Sequence, residues 1–168
     1  NEKLDEGPVM NSYQIKILEN ENASSLSQRL SELAKKIIIQ NIEEIFKNKA
    51  KFNNQDHTRA TYAKKILKSE GEINWDDHSN KIVAKINALY PTPGAWFIFK
   101  KKRYKVLEAK HSKKIGAAGE VLDDELTISC GTNSIKILKI QKEGKNPQKT
   151  KDFLLGNIIK KGCFLSDA

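Results

Sequence analysis

Apolar and polar positions follow two different periods along the chain, and the change between them divides it. Residues 13–18 alternate well enough for a β-strand, which we extend back to Val9. From Leu26 to Phe46, apolar side chains recur at three- and four-residue steps, which predicts a long amphipathic helix with a capping box at residues 25–28. A strand, a loop and one long helix cannot bury themselves alone. We therefore expect this first part to be the end of an α/β domain whose beginning is missing.

The middle of the chain predicts two shorter helices. Residues 48–59 are polar and aperiodic, as in a linker, and residues 60–70 predict a short helix with Gly71 as its C-terminal stop. A second helix begins at an aspartate N-cap after Trp75 and ends before residues 91–94, where two prolines and a glycine stand. Its apolar face is made of Ile82, Val83, Ile86 and Leu89.

Beyond Gly94 the period changes from helical to two, which is typical of strands. Five short candidates are separated by turns: Ala95–Lys100, Arg103–Lys110, Gly119–Leu122, Leu126–Cys130 and Ser134–Lys142. A late helix is predicted over Thr150–Leu155. Five short strands with one late helix suit a small open β-barrel of the OB type. The predicted fold class is thus α/β followed by β.

The positive charge lies mainly in the second half. The formal net charge is +9, and residues 91–168 hold 16 Lys and Arg against 8 Asp and Glu. Several of these cations are bunched, as in Lys100-Lys101-Lys102, at predicted turns and strand ends. We therefore expect a polyanionic partner for this half and one basic rim formed by the loops of the barrel.

Other features of the composition narrow the class of protein. No apolar run is long enough to span a bilayer, so we expect no membrane partner. Cys130 and Cys163 are not spaced as metal ligands and fit a reducing cytosol. We expect Met10 and Cys130 to lie in the core, and Trp75 and Trp96 to pack between the helices and the barrel rather than to stack on a base. The remaining candidates for chemistry are solvated surface histidines: His57, His78 and His111.

A carboxylate beside a Gly-Pro pair stands near the start of the chain, in Leu4-Asp5-Glu6-Gly7-Pro8. Gly7 can take a positive φ and Pro8 fixes its own φ, so the segment predicts a sharply turned loop that leads into the first strand. Loops on a rigid scaffold are where reactive side chains are often placed. Taken alone, this loop is compatible both with a simple turn and with a catalytic Asp5.

Four motifs in this order and approximate spacing resemble the methionyl-tRNA formyltransferase family in its C-terminal part. They are Leu4-Asp5-Glu6-Gly7-Pro8, Ala60-Thr61-Tyr62-Ala63-x-Lys65-Ile66, Ile73-Asn74-Trp75 and Pro91-x-Pro93-Gly94-Ala95. The first is shared by many formyltransferases, whereas the second and fourth are more specific to the branch that acts on tRNA. Gly144-Lys145 and Phe153-Leu154-x-Gly156 add support. The resemblance extends over nearly the whole chain.

The resemblance implies transfer of a formyl group from 10-formyltetrahydrofolate to the α-amine of methionine on initiator tRNA. The family's catalytic set is an Asn-x-His pair and the Asp of the Leu-Asp-x-Gly loop, and only the last is present here, as Asp5. Asn and protonated His can stabilise an oxyanion, while a carboxylate can orient the His or relay protons through a water. Lys3, Leu4, Glu6, Gly7 and Pro8 either shape the wall of the folate site or only set the turn, and no metal is implied.

The resemblance also assigns the domains and a tRNA surface. Residues 1–48 would be the end of a Rossmann-like formyltransferase domain, residues 49–66 a linker, and residues 67–168 an OB-like domain that helps to hold tRNA. We expect the short helix predicted over residues 60–70 to carry Lys65 and Lys68 on one face. The candidate tRNA-binding residues are Lys65, Lys68, Lys100, Lys101, Lys102, Arg103 and Lys145.

The expected protein is therefore a fragment of a cytoplasmic enzyme of translation initiation, in a bacterial cytosol or an organelle matrix, whose full-length form is a monomer. The fragment lacks the Asn-x-His pair and is expected to be inactive alone. Two alternatives stay open. One is another folate-dependent formyltransferase or a formyl-folate hydrolase. The other is a non-catalytic nucleic-acid-binding module of the OB type.

Overall fold

The computed structural model describes residues 2–157 and 159–165. The chain divides into two compact units, Asn1–Glu19 with Ser25–Lys65 and Asn20–Ser24 with Ile66–Ala168. Two short 3-10 turns occur at His57–Arg59 and Lys68–Gly71. The helices and strands, in chain order, are α1 (Ala23–Phe46), α2 (Ser79–Leu89), β1 (Ala95–Phe99), β2 (Lys102–Ser112), β3 (Thr127–Ser129), β4 (Ser134–Lys142), β5 (Gln148–Lys149) and α3 (Thr150–Gly156).

The first unit contains the predicted long helix but not the predicted strand. The strand over residues 9–18 is wrong: Val9 pairs with Asn53 in an isolated antiparallel bridge, and residues 11–18 have no ladder partner among the described residues. A strand requires a neighbouring strand to take up its backbone hydrogen bonds, and alternation of side chains cannot supply one. The capping box at residues 25–28 is also misplaced, because α1 begins at Ala23 and Ser25 lies in its first turn.

The apolar face of α1 is present but uncovered within this unit. No residue of the helix is buried, and Ile38 remains 57% exposed. Leu30, Ile42 and Ile45 are exposed as well. An apolar stripe of this width is typical of a helix that packs against a larger hydrophobic surface.

The helix predicted over residues 60–70 does not form. Residues 60–67 have no helical structure, and the only helical turn here is the 3-10 turn Lys68–Gly71. Lys65 and Lys68 therefore do not share a helix face. Gly71 is required for a reason other than a C-terminal stop: a Cβ at this position would overlap the carbonyl oxygen of Gly94 and come within 3.0 Å of the Trp96 ring.

Helix α2 has the predicted apolar face and a different cap. Ile82, Val83, Ile86 and Leu89 are all buried, as predicted. The N-cap is His78 rather than an aspartate, and its Nδ1 accepts a hydrogen bond from the N–H of Asn80 at 3.1 Å. A neutral imidazole nitrogen is an acceptor, so it can satisfy one of the free N–H groups at a helix start.

The second unit is built on one antiparallel sheet with strand order β1-β2-β4-β3, and β5 pairs with β4. Four of the five predicted strands form, and β4 has the predicted bounds. Residues 119–122 make only isolated bridges, Val121 with Ile128 and Glu120 with Phe164, while the two-residue β5 was not predicted. The sheet is not closed into a barrel through the described residues.

The core lies between the sheet and the helices, with α2 against β2 and α3 against β4. Two successive residues of β2, Val106 and Leu107, are both buried, because the register between β2 and β4 shifts at this point and the alternation changes face. A chain of aromatic contacts crosses the core, from Trp75 to Phe97 to Tyr104 to Phe153, with ring centroids 5.5–5.8 Å apart. Each buried side chain of this size contributes about 1.5–3 kcal/mol.

Candidate functional site

The loop that contains Asp5 has its strained residue at the aspartate itself. Asp5 has φ +59°, in the left-handed region, whereas Gly7, which can take a positive φ without strain, does not have one. Aspartate enters this region more easily than other residues with a Cβ, although at some cost. The Asp5 side chain is exposed. The left-handed backbone conformation therefore occurs at the residue whose carboxylate is the catalytic candidate.

A second segment of the same unit holds this loop. The Gln55 side-chain amide donates to the carbonyl oxygen of Asp5 at 2.8 Å and to that of Gly7 at 2.7 Å. Close by, Val9 and Asn53 exchange two backbone hydrogen bonds, each of 2.9 Å. Sequence analysis did not single out Gln55, because it lies in an aperiodic polar stretch and carries no motif signal.

The Asp5 loop and residues 55–63 together line a cleft of about 1240 Å³. Both segments belong to the first unit. The lining includes both acidic and basic residue types: Lys3, Asp5, Glu6, Asp56, His57 and Arg59. The cleft also contains Tyr62, which is 91% exposed. The arrangement offers a carboxylate, an imidazole and a guanidinium to a ligand, in a space as large as the clefts that hold cofactor-sized molecules.

Asp56 orders the segment of the cleft lining at residues 56–59. Its Oδ1 accepts hydrogen bonds from the Thr58 hydroxyl at 2.6 Å and the Thr58 N–H at 3.0 Å, which caps the 3-10 turn His57–Arg59. These bonds stabilise the charged carboxylate and lower its pKa from the ordinary value. Asp56 is thus a capping residue.

The predicted folate-binding residues fall into two groups. Lys3, Leu4 and Glu6 line the cleft, and Lys3 Nζ lies 3.8 Å from a carboxylate oxygen of Glu6. Gly7 and Pro8 do not line it, and Gly7 contributes its carbonyl oxygen to Gln55. Gly7 and Pro8 therefore belong to the loop but not to the wall of the cleft.

Five of the predicted tRNA-binding residues, Lys100–Arg103 and Lys145, lie at one end of the sheet, whereas Lys68 of the same unit lies in the 3-10 turn Lys68–Gly71. Lys100 and Lys101 form the two-residue turn between β1 and β2, and both have positive φ, +48° and +60°. Arg103 pairs with Glu143 at 3.0 Å, and its guanidinium carbon lies 5.4 Å from the Trp96 ring centroid. Lys145 follows in the turn after β4, which ends beside Tyr104. A two-residue hairpin turn with positive φ at both residues is typical of type I′, which favours Asn and Gly. Two lysines at these positions are therefore unusual.

The single basic rim expected from the sequence is wrong. Lys102 stands at the start of β2 and Lys110 near its end, where β2 pairs with the start of β4. At about 3.3 Å per residue, eight residues of strand separate them by roughly 26 Å of strand length. The cations lie on the same strand but at different ends of the sheet, because strand connectivity and not sequence proximity sets where turns meet.

The remaining candidates take structural positions. Among the described residues no group of three or more His, Cys, Asp and Glu is arranged to hold a metal ion. His111 is exposed on β2, His78 caps α2, and His57 is exposed in the cleft. Burial raises the pKa of the Cys130 thiol to about 11, so it is protonated at neutral pH. None of the helices within the described ranges is both long and apolar enough to cross a bilayer.

The two tryptophans have the predicted packing roles. Trp75 is buried and packs edge-on against Phe97. Trp96 is partly buried, and its Nε1 donates to the carbonyl oxygen of Lys68 at 2.9 Å. Cys130 is in the core as predicted, whereas Met10 is only partly buried.

The chain is similar in sequence to bacterial methionyl-tRNA formyltransferases. That of Pelagibacter ubique is 55% identical over 167 residues, covering 99% of this chain and 54% of the relative. That of Caulobacter vibrioides is 36% identical over 169 residues, covering 98% of this chain and 55% of the relative. The chain thus spans about half the length of these relatives.

Solved structures share the fold at low sequence identity. HypX from Aquifex aeolicus, in complex with tetrahydrofolic acid, superposes with a TM-score of 0.74 at 17% identity, over 96% of this chain and 30% of that chain. The N-formyltransferase from Helicobacter canadensis, in complex with folinic acid and dTDP-3-aminofucose, gives 0.62 at 19% identity, over 83% of this chain and 52% of that chain.

A family match covers more than half of the chain. Residues 65–157 match the family described as formyl transferase, C-terminal domain. Apart from its first residue, this match lies in the unit built on the antiparallel sheet, and the relatives extend the similarity to the Asp5 loop. The resemblance inferred from the motifs is confirmed. The chain belongs to the formyl transferase family, and residues 65–157 are its C-terminal domain.

Proposed function

We propose that this chain is part of an enzyme that transfers a formyl group from 10-formyltetrahydrofolate to the amino group of methionine on initiator Met-tRNA. The observation that carries the proposal is the 55% identity, over 99% of the chain, to a methionyl-tRNA formyltransferase. The cleft beside Asp5 supports it, because the exposed side chain of Asp5, which belongs to the family's loop motif, lines that cleft. The enzyme would act in the cytoplasm at translation initiation, as a monomer.

Asp5 is the residue of this chain that takes part in the reaction. The folate would supply the formyl group. As the new C–N bond to the methionine amine forms, the bond between the formyl carbon and the folate nitrogen must break, and the proton lost by the amine must reach that nitrogen. Asp5 holds the catalytic His in the useful orientation or accepts that proton through a water. The Asn-x-His pair comes from the part of the relatives that this chain does not span. Asp5 alone therefore cannot complete the site.

The residues of the cleft fit a folate in their chemistry. The wall offers backbone groups of the turned loop, the Lys3 ammonium and the apolar Leu4 side chain, which suit a ligand with a polar ring system and a carboxylate tail. Two structural neighbours hold folates, HypX with tetrahydrofolic acid and the Helicobacter canadensis enzyme with folinic acid. Lys3, Leu4 and Glu6 would contact the ligand, and Gly7 and Pro8 would shape the loop.

The domain roles follow from the same proposal. Residues 1–48 would end a Rossmann-like domain, since the exposed apolar face of α1 requires a larger surface to cover it. Residues 49–66 would link it to residues 67–168, an OB-like, partly open barrel that meets tRNA. The tRNA surface would comprise Lys65, Lys68, Lys100, Lys101, Lys102, Arg103 and Lys145.

The test compares three proteins: the full-length enzyme, its Asp5→Asn variant and residues 1–168 alone. The full-length enzyme should formylate Met-tRNA but not a nucleotide-linked amino sugar. Asp5→Asn should lower kcat by roughly 10²-fold or more while tRNA binding hardly changes. Residues 1–168 alone should show no transfer above background. Turnover by the short chain, or a near-normal kcat for Asp5→Asn, would overturn the roles assigned here.

A further inference from the structure

We infer that Gln55 is a positioning residue that holds Asp5 in its reactive conformation. This inference rests on the proposed function, because it concerns how the Asp5 carboxylate is placed. Gln55 and the Asp5 loop belong to the same compact unit and line the same cleft.

The contact geometry is that of a two-point clamp. Gln55 Nε2 lies 2.8 Å from the Asp5 carbonyl oxygen and 2.7 Å from the Gly7 carbonyl oxygen. A primary amide nitrogen has two N–H donors, and both are used on carbonyls that flank Glu6. Because both partners can only accept, the amide nitrogen and not its oxygen must face the loop. The side chain thus bridges the backbone on both sides of the turn.

The loop requires such support because its conformation is intrinsically unfavourable. Asp5 has φ +59° and its side chain is exposed, so packing of that side chain does not compensate for the left-handed backbone. Without a brace, the residue would relax toward a commoner conformation and re-aim its carboxylate. A displacement of about 1 Å in a catalytic group can lower a rate by roughly 10²-fold.

Gln55 is itself anchored on both sides along the chain. Before it, Asn53 exchanges two 2.9 Å backbone hydrogen bonds with Val9. After it, Asp56 caps the turn His57–Arg59 through two hydrogen bonds from Thr58. The backbone that carries Gln55 is therefore held on both sides by hydrogen bonds. A glutamine on a flexible surface segment would not have this support.

A double-mutant cycle in the full-length enzyme tests the inference. Gln55→Met keeps the side-chain length and removes both donors, and Gln55→Glu replaces the donors by an anion facing two carbonyl oxygens. We expect kcat to fall about 10- to 100-fold in Gln55→Met and further in Gln55→Glu, with KM for Met-tRNA unchanged. In an Asp5→Asn background, Gln55→Met should have no further effect on kcat. Gln55 acts by placing the Asp5 carboxylate, and that carboxylate is already absent. Gln28→Met, at an exposed position of α1, is the matched control and should retain wild-type kcat.

Amide hydrogen exchange in the same variants separates the brace from the reaction. The Val9 and Asn53 amides should exchange roughly tenfold faster in Gln55→Met, while amides of β4 stay unchanged. If the Val9 and Asn53 amides exchange at the same rate in Gln55→Met as in the wild type, Gln55 is not a brace. If the losses of kcat are additive in the double mutant, Gln55 does not act through Asp5. A wild-type enzyme that does not formylate Met-tRNA would instead refute the proposed function, and the exchange result would still judge the brace.

Discussion

Lys114 Nζ lies 2.7 Å from the Asp123 carboxylate, and this pair ties the segment after β2 to the turn before β3. Asp123 also accepts the backbone N–H groups of Glu125 at 2.9 Å and Thr127 at 3.0 Å. Its side chain is only 16% exposed, while that of Lys114 is 55% exposed. Asp123 is thus a half-buried acceptor that orders a turn, and the Lys114 ammonium completes its hydrogen bonding from the solvent side.

This geometry predicts how stability depends on pH. Partial burial raises the pKa of Asp123, but the hydrogen bonds from Lys114, Thr127 and Glu125 outweigh it and hold the pKa well below its usual range. Because the folded pKa is lower than the unfolded value of about 4, the stabilisation is present above that pH and is lost as pH falls through the folded value.

Asp123→Asn should therefore lower the free energy of unfolding at pH 7 by about 1–2 kcal/mol. The difference between wild type and variant should shrink from pH 5 towards pH 2, measured by urea unfolding. The exposed neighbour Asp124, changed to Asn, is the control and should have little effect. A difference that does not change with pH would show that the carboxylate charge is not what holds the turn.

Two glycines should respond oppositely to alanine. A Cβ on Gly131 would overlap the backbone carbonyl of Asp76, and the Gly131 N–H donates to Trp75 and Asp77 carbonyls at 2.8 and 3.0 Å. Gly131→Ala must move backbone and should cost about 2 kcal/mol or more. Gly156, in α3, has no heavy atom within 4 Å of a Cβ, so Gly156→Ala should be neutral or stabilise by up to about 1 kcal/mol. Thermal unfolding of both variants decides, and equal midpoints would contradict the packing at Gly131.

The salt dependence of tRNA binding should identify the basic end of the sheet. If four to six phosphates are contacted by the second unit, log K should fall with log[salt] with a slope of about −3 to −5. In the full-length enzyme, Lys100→Glu with Lys101→Glu should raise KM for tRNA, leave kcat nearly intact and make the slope shallower by about 1.4 to 1.8.

Lys110→Glu with Lys113→Glu makes the same change of net charge near the other end of β2 and is the matched control. Wild-type slope and affinity are expected for it. If both pairs change the slope equally, binding is non-specific attraction to net charge. If neither does, the tRNA surface must include other residues, with Lys65 and Lys68 the next to change.

What could be predicted from the sequence is what depends on local pattern. The apolar spacing in α2 and the alternation in β1, β2 and β4 require particular backbone periods, and those elements form where the pattern places them. The motif residues also identified the family, because a set of glycines, prolines and aromatics in fixed order is hard to match by chance.

Elements whose formation depends on a partner could not be predicted in this way. Residues 9–18 alternate like a strand, yet among the described residues Val9 alone of them pairs, in one isolated bridge with Asn53. The strand β5 is too short to show a period but pairs with β4. His78 caps α2 in place of the expected aspartate, because the position where the helix begins decides which side chain reaches a free N–H.

The candidate site shows the same division. The sequence by itself determined that Asp5 stands in a turned loop and that cations crowd the second half. Only the tertiary structure decided that Asp5, rather than Gly7, takes the left-handed conformation, that Gln55 holds it, and that Lys145 joins the Lys100–Arg103 hairpin at one end of the sheet. Periodicity reports which face a residue occupies, whereas contacts across fifty residues depend on the path of the chain, which no local pattern encodes.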